Sequence, residues 1–358
     1  MLIYILVVIF PLIIESLYKR RVLENNLLNN EEYLNKKRLK YLFVAALPMF
    51  FLIAFRNQRI GADTNGYLEN FERIIKTPWD ELYREKMEYG YLAFVKLLTY
   101  VTHNPLIFQI VYTSIYYFAL ISFVKELEEG HFLLLFLFGT LGMYTFMFTG
   151  VRQCLAISLC LFSYKYIKKR KILPFAILMF LAFYFHKSSI LFAIAYLIYS
   201  RKLNFINVIL YFAIMIIAAV YLDEFQKWLN EQLDYDYGIE SNSGGLIFSI
   251  IMVVITIFSI FVIGQKKEKS PQAVGLINIG IIATIFWVLR IFTRVAERPS
   301  FYFLTFSFAG FAYAIYTLNN GKERGVVKVT AVFLCLALFI YRLMTSQSGF
   351  VPYRFFSF

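Results

Sequence analysis

The chain has 358 residues, 60% hydrophobic and 20% aromatic, with a mean hydropathy of +0.63 and a formal net charge of +13. Soluble domains are about half apolar. Forty Phe and 27 Tyr set in repeated apolar runs therefore exclude an ordinary water-soluble core and indicate a polytopic membrane protein. The surplus Lys and Arg fall in short clusters between those runs, which marks them as topology signals and not as a nucleic-acid footprint.

The first run, Met1–Phe10, carries its cations after it, as a retained first helix does and a cleaved signal peptide does not. Twelve spanning helices are expected, near residues 1–17, 41–55, 105–124, 131–149, 152–167, 172–185, 188–200, 205–222, 245–264, 273–292, 300–317 and 329–343. Several are shorter than the roughly 20 residues of a straight span. Their ends either continue into flanking polar residues or stop short at a cavity. The fold class expected is all-α, a single integral membrane domain over residues 1–358, without repeats or a soluble domain. Cys154, Cys160 and Cys335 lie inside apolar runs and have neither ligand nor disulfide spacing.

Lys and Arg set the orientation. Lys19–Arg21, Lys36–Arg38 with Lys40, Lys125, Lys165 with Lys168–Lys171, Arg201/Lys202, Lys266/Lys267/Lys269 and Lys322/Arg324/Lys328 share one face and hold most of the 36 cations. That face is cytoplasmic by the positive-inside rule, and both termini are then outside. Counting the run 91–101 as a span would break this pattern, so it is expected as an interfacial or re-entrant helix.

Two outer loops are substantial, residues 56–104 and 223–244. In the first, Tyr67, Phe71, Ile74 and Ile75 have the spacing of an amphipathic helix lying on the membrane. The second is acidic and aromatic, with Trp228 and Tyr235 able to stack on a sugar and a weak Asp234-Tyr235-Asp236 pattern. Arg56 and Arg59 follow the second span directly, on the side where cations are not expected. Gly61 allows a sharp turn and close backbone approach to a ligand. Asp63 suits either general-base chemistry or the N-cap of the next helix. Glu88 is a second candidate base, or a favourable charge at a helix N-terminus.

Arg152-Gln153 opens a helix. His186-Lys187-Ser188-Ser189 is a tight turn between two short helices. Arg290, Arg294 and Arg298 are spaced i, i+4, i+8, on one face of a helix that Pro299 ends. Arginine forks grip phosphate bidentately and keep their charge. Several aimed at one outer cavity suit a diphosphate headgroup with its lipid tail in the bilayer, and such a site needs no metal or cofactor because the cations stabilise the leaving group.

The motif Arg-x-x-x-x-Gly-x-Asp-Thr-x-x-Tyr over Arg56–Tyr67, then Glu88-x-Gly90, Arg152-Gln153 and His186-Lys187-Ser188-Ser189, resembles the EpsG family over about residues 40–310. These are Wzy-like polysaccharide polymerases of bacterial exopolysaccharide and capsule pathways. The resemblance implies a GT-C-like membrane glycosyltransferase of the bacterial cytoplasmic membrane. It would join undecaprenyl-diphosphate-linked repeat units on the outer leaflet, with a chain-length regulator as a further partner. It places Asp63, Glu88 and His186 as catalytic candidates. Arg56, Arg59, Arg152, Gln153, Arg290, Arg294 and Arg298 are the substrate-binding candidates, with Arg298 discounted because Glu297 beside it neutralises it. The competing readings are an O-antigen ligase, an O-acyltransferase, and a lipid-linked sugar flippase. A flippase predicts internal repeats and charge spread through the membrane depth.

Overall fold

The computed structural model describes residues 1–24, 31–220, 245–346 and 349–356. The second loop, 223–244, with Trp228 and Asp234–Asp236, lies outside the described residues. Among them the chain is helical: α1 (Leu2–Glu24), α2 (Glu31–Ala54), α3 (Thr64–Lys76), α4 (Tyr89–Thr99), α5 (Pro105–Val124), α6 (His131–Thr140), α7 (Met143–Phe146), α8 (Val151–Lys168), α9 (Ile172–Phe185), α10 (Ile194–Ile198), α11 (Phe205–Val220), α12 (Leu246–Gly264), α13 (Pro271–Leu289), α14 (Glu297–Tyr316) and α15 (Gly321–Thr345). Three 3₁₀ turns, Trp79–Glu85, Lys187–Ala193 and Arg294–Ala296, link them. The starts follow local chemistry. The Asn104 side chain accepts from Leu106 N–H ahead of Pro105, and Ser270 accepts from Gln272 and Ala273 N–H ahead of Pro271. Both are polar N-caps before a proline that lacks the N–H a first turn cannot use.

Among the described residues the twelve expected runs fall largely on helix, but not each of them forms a helix long enough to span. Among the described residues, five helical stretches are long and apolar enough to cross a membrane: Leu2–Val22, Pro105–Val124, Leu246–Gly264, Pro271–Leu289 and Gly321–Thr345. Shorter apolar helices stand beside them, at His131–Thr140, Ile172–Phe185 and Lys187–Ile198. This is a membrane-embedded helical protein. Helix α13 is its centre, with 83% of its apolar window buried against 17% for α15 on the rim.

The two ends of the bundle differ in chemistry. Helix α2 carries Arg38 near its start and reaches Arg56 past its end, α8 begins at Arg152 and finishes with Lys165 and Lys168, and α15 begins with Lys322 and ends with Arg342. The lysine-rich end is tied together by Glu15, which bonds Lys328 at 2.6 Å, Lys19 at 2.6 Å and the Tyr316 hydroxyl. The candidate site residues gather at the other end.

Three expectations change, while the run 91–101 is, as expected, a helix that does not span. The run 131–149 is interrupted at Leu141-Gly142, where Gly142 has φ +99°. A Cβ there would stand 2.8 Å from an Arg342 guanidinium nitrogen, so the break makes room for that cation. Helix α3 does not spread its apolar face on lipid. Tyr67, Phe71 and Ile74 are buried in a second core shared with α4 and α5, where Phe71 stacks on Phe108 at 5.1 Å. The run 91–101 forms an 11-residue helix, too short to span. It packs on α3 and α9, with buried Lys96 donating to Ile74 O at 3.1 Å. Finally, Arg290, Arg294 and Arg298 do not share a helical face. Helix α13 stops at Leu289, a turn and a 3₁₀ segment intervene, and Pro299 lies in the first turn of α14, where its missing N–H costs nothing.

Candidate functional site

Three distant segments meet on Glu88. Its carboxylate, 3% exposed, pairs with Arg152 through Oε2 and with His186 Nδ1 through Oε1 at 2.7 Å. Each partner arrives from an element end. Glu88 is the extended residue before α4, Arg152 lies in the first turn of α8, and His186, also extended, follows α9. Helix α4 can approach α9 because residue 90 is glycine, whose Cβ would stand 2.6 Å from Tyr184 O. A carboxylate paired with a guanidinium only accepts, so Nδ1 of His186 carries the proton. Burial holds His186 below the usual imidazole range, and Arg152 and Arg298 push the same way against the pull of Glu88.

The guanidinium of Arg152 also reaches outward, donating from Nε to the Tyr67 hydroxyl at 3.4 Å. Burial raises the Tyr67 phenol while Arg152 lowers it. Asp63 is exposed one helical turn before Tyr67, on the same face of α3. It occupies the N-cap position, but its side chain makes no capping hydrogen bond. The carboxylate is therefore presented to solvent at the start of α3, one turn before Tyr67.

Arg56 has a different place from the one expected. It is fully buried, and its guanidinium donates to Ile53 O at 2.7 Å, Ile60 O at 3.3 Å, Phe148 O at 3.1 Å and the Thr64 hydroxyl at 3.1 Å. Its donors are turned onto backbone carbonyls and the Thr64 hydroxyl, the arrangement of a strut under the 56–64 turn. Gly61 likewise lets the backbone approach protein: at φ +91° its Cβ would stand 2.1 Å from Phe148 O. Arg59 is exposed, its N–H donating to Asn57 Oδ1 at 3.1 Å. The C-terminal segment closes over this turn through Asn57 N–H to Arg354 O at 2.9 Å and Phe356 N–H to Phe55 O at 2.8 Å.

Gln153 is buried and donates to Arg298 O at 2.6 Å, which joins the start of α8 to the start of α14. Arg298 lays its guanidinium over the Phe146 ring at 5.5 Å. The neighbour of Arg298 in sequence, Glu297, turns the other way and accepts from Arg290 Nε at 2.8 Å. The charge neutralised is thus that of Arg290, which is buried, and not that of Arg298. Arg294 is exposed on the 3₁₀ turn. Beyond Glu297 opens a cavity of about 350 Å³ lined by Thr145, Phe146, Thr149, Glu297, Phe301 and Arg342 among others. Arg342 and the Glu297–Arg290 pair are not among the expected site residues, and Tyr67 is expected only on the apolar stripe and at the end of the motif. An arginine at the end of the last apolar run is itself a signal, because cations at membrane depth are costly. Among the described residues no three His, Cys, Asp or Glu side chains gather as a ligand set, and the three cysteines are buried and free.

A membrane-embedded helical bundle with a polar site at the end opposite its lysine-rich one defines the class. Within that class the sequence profile of the EpsG family matches residues 39–355, and the chain belongs to the EpsG family. The match continues past residue 310, through Arg342 and the C-terminal segment. No curated relative and no solved structure matches the chain. Membership supports a polymerase-type role in polysaccharide biosynthesis.

Proposed function

We propose that the protein is a GT-C-like glycosyltransferase that joins undecaprenyl-diphosphate-linked oligosaccharide repeat units on the outer face of the bacterial cytoplasmic membrane, without a metal. The observation that carries this reading is the meeting of Glu88, Arg152 and His186, from three separate segments, around one accessible guanidinium. In this reading Arg152 contacts the diphosphate of the donor. Its orientation is fixed by Glu88, and guanidinium charge is stabilising where the leaving group gains negative charge.

The anomeric C–O bond to the diphosphate breaks, and a new C–O bond forms to a hydroxyl of the acceptor unit. The hydroxyl proton goes to a base, and the lipid diphosphate leaves. Asp63 is the base that fits: it is solvent-exposed, does not cap its helix, and lies one turn from Tyr67 at the Arg152 contact. Both oxygens of Glu88 are engaged, so Glu88 and His186 act as positioning residues. Bound lipid and a chain-length regulator complete the proposed partners.

The test is purified protein in lipid given a defined undecaprenyl-diphosphate repeat unit. A ladder of longer lipid-linked products supports polymerisation. Unchanged substrate moved across the bilayer supports the flippase instead, and a single transfer to a different acceptor supports the ligase.

A further inference from the structure

The cavity beside Glu297 has a hydrogen-bonding character that selects its occupant. Thr145 gives its hydroxyl proton to Gly142 O and Thr149 to Phe146 O, each at 3.0 Å. On the same lining, Thr140 and Thr345 give theirs to Phe136 O at 2.9 Å and Tyr341 O at 3.0 Å. A threonine whose proton is used this way offers only oxygen lone pairs. The Glu297 carboxylate, held by Arg290 at 2.8 Å, adds further acceptors and a negative charge. Among the described residues the charged donor lining the cavity is Arg342, held against Gly142 and over the Phe248 ring at 5.5 Å.

A wall richer in acceptors than in donors repels phosphate oxygens and takes a ligand that brings hydroxyl protons. Phe146, Phe301, Phe339 and Phe350 supply the apolar remainder of the lining, suited to the C–H faces of a sugar ring. The volume, about 350 Å³, falls at the small end of ligand pockets, about 300–1,000 Å³.

We infer that this cavity is a saccharide subsite. It holds a pyranose ring through the ring's hydroxyl donors to Thr145, Thr149 and Glu297, with Arg342 donating to a ring or hydroxyl oxygen, and it excludes the diphosphate. That the ring belongs to a lipid-linked repeat unit rests on the polymerase reading; the sugar binding itself does not. The division of labour is then spatial. The diphosphate lies on the Arg152 side of Arg298, and a sugar lies on the Glu297 side.

The test uses the full-length protein in lipid nanodiscs. The probes are methyl glycosides of glucose, galactose, mannose and N-acetylglucosamine, followed by saturation-transfer NMR, with inorganic pyrophosphate as competitor. At least one glycoside binds, and pyrophosphate does not displace it. Thr145→Val combined with Thr149→Val removes two acceptors with little change of shape and weakens binding about tenfold. Thr145→Ser with Thr149→Ser keeps the oxygens and binds as wild type, which separates lost acceptors from lost fold. No glycoside binding, displacement by pyrophosphate, or unchanged binding in the Val pair overturns the subsite. The ladder assay keeps the two ideas apart. A wild-type ladder without glycoside binding removes the subsite and leaves the polymerase; glycoside binding without any ladder or transfer does the reverse.

Discussion

Glu88 and Arg152, 64 positions apart in the chain, close an ion pair in which the carboxylate is 3% exposed and the guanidinium side chain 19%. The asymmetry is informative. The acid is a fixed internal counter-ion, and the base end of the pair is the part that reaches the surface. Desolvating the pair has a cost that its geometry only partly returns, but removing one member leaves the other charge uncompensated.

Arg152→Ala strands the Glu88 carboxylate and is expected to destabilise the protein by about 3–5 kcal/mol. Adding Glu88→Leu to it removes the stranded charge and recovers part of that loss. Neither variant makes polymer. Denaturant unfolding in detergent checks the first two statements. A double variant no more stable than Arg152→Ala would show that the pair is not buried as described.

His186 gives a pH signature. Its imidazole is held below its ordinary value chiefly by burial, so the folded protein favours the neutral ring while the unfolded chain protonates near pH 6.5. The unfolded state therefore binds more protons as the pH falls. The stabilisation is fully present above about pH 6.5 and is lost as the pH drops toward the folded value. A His186→Gln variant flattens this acid limb. In Arg152→Ala the imidazole loses a neighbouring positive charge and its pKa rises, readable by NMR of labelled histidine. An unmoved titration would refute the Arg152–His186 coupling.

Arg56 separates strut from ligand. Lysine keeps the charge, yet its single ammonium cannot serve the carbonyls of Ile53, Ile60 and Phe148 and the Thr64 hydroxyl together. Each buried acceptor left unpaired costs about 1–3 kcal/mol. Arg56→Lys is therefore expected to lower the unfolding temperature, with polymer yield falling in step. Wild-type unfolding with no polymer would instead make Arg56 a substrate ligand.

How much of this was legible depends on where each partner comes from. The apolar runs and their starts were, because Asn104-Pro105 and Ser270-Pro271 carry their capping chemistry locally. The motif residues Glu88, Arg152 and His186 could be picked out one by one, but their mutual contact depends on how α4, α8 and α9 pack. The burial of Arg56 was not legible because its partners are carbonyl oxygens, which every residue has and no sequence distinguishes. The arginines at 290, 294 and 298 fit helical spacing only if the helix continues, and Pro299 reads as a stop as readily as a first-turn residue. Gly142 hid a break inside an apolar run whose cause, Arg342, is some 200 residues away.

Gly61 tests the turn that presents Asp63 at the start of α3. An added methyl group there would meet Phe148 O at 2.1 Å, in a backbone conformation with φ +91° that side chains disfavour. The strain alone is about 1–2 kcal/mol, and the overlap forces the 56–64 turn away from Phe148, to which Arg56 and Thr64 also bind. Gly61→Ala should therefore lower stability and displace Asp63. Gly66 is the matched control five residues on. It is exposed inside α3 with nothing within 4 Å of its Cβ position, so Gly66→Ala should stabilise the helix by about 0.5–1 kcal/mol. Polymer yield and unfolding temperature measured on the two variants should move in opposite directions for stability, with yield lost only in Gly61→Ala. Equal tolerance at both positions would mean that the turn is not held against Phe148, and the placement of Asp63 by that turn would fall with it.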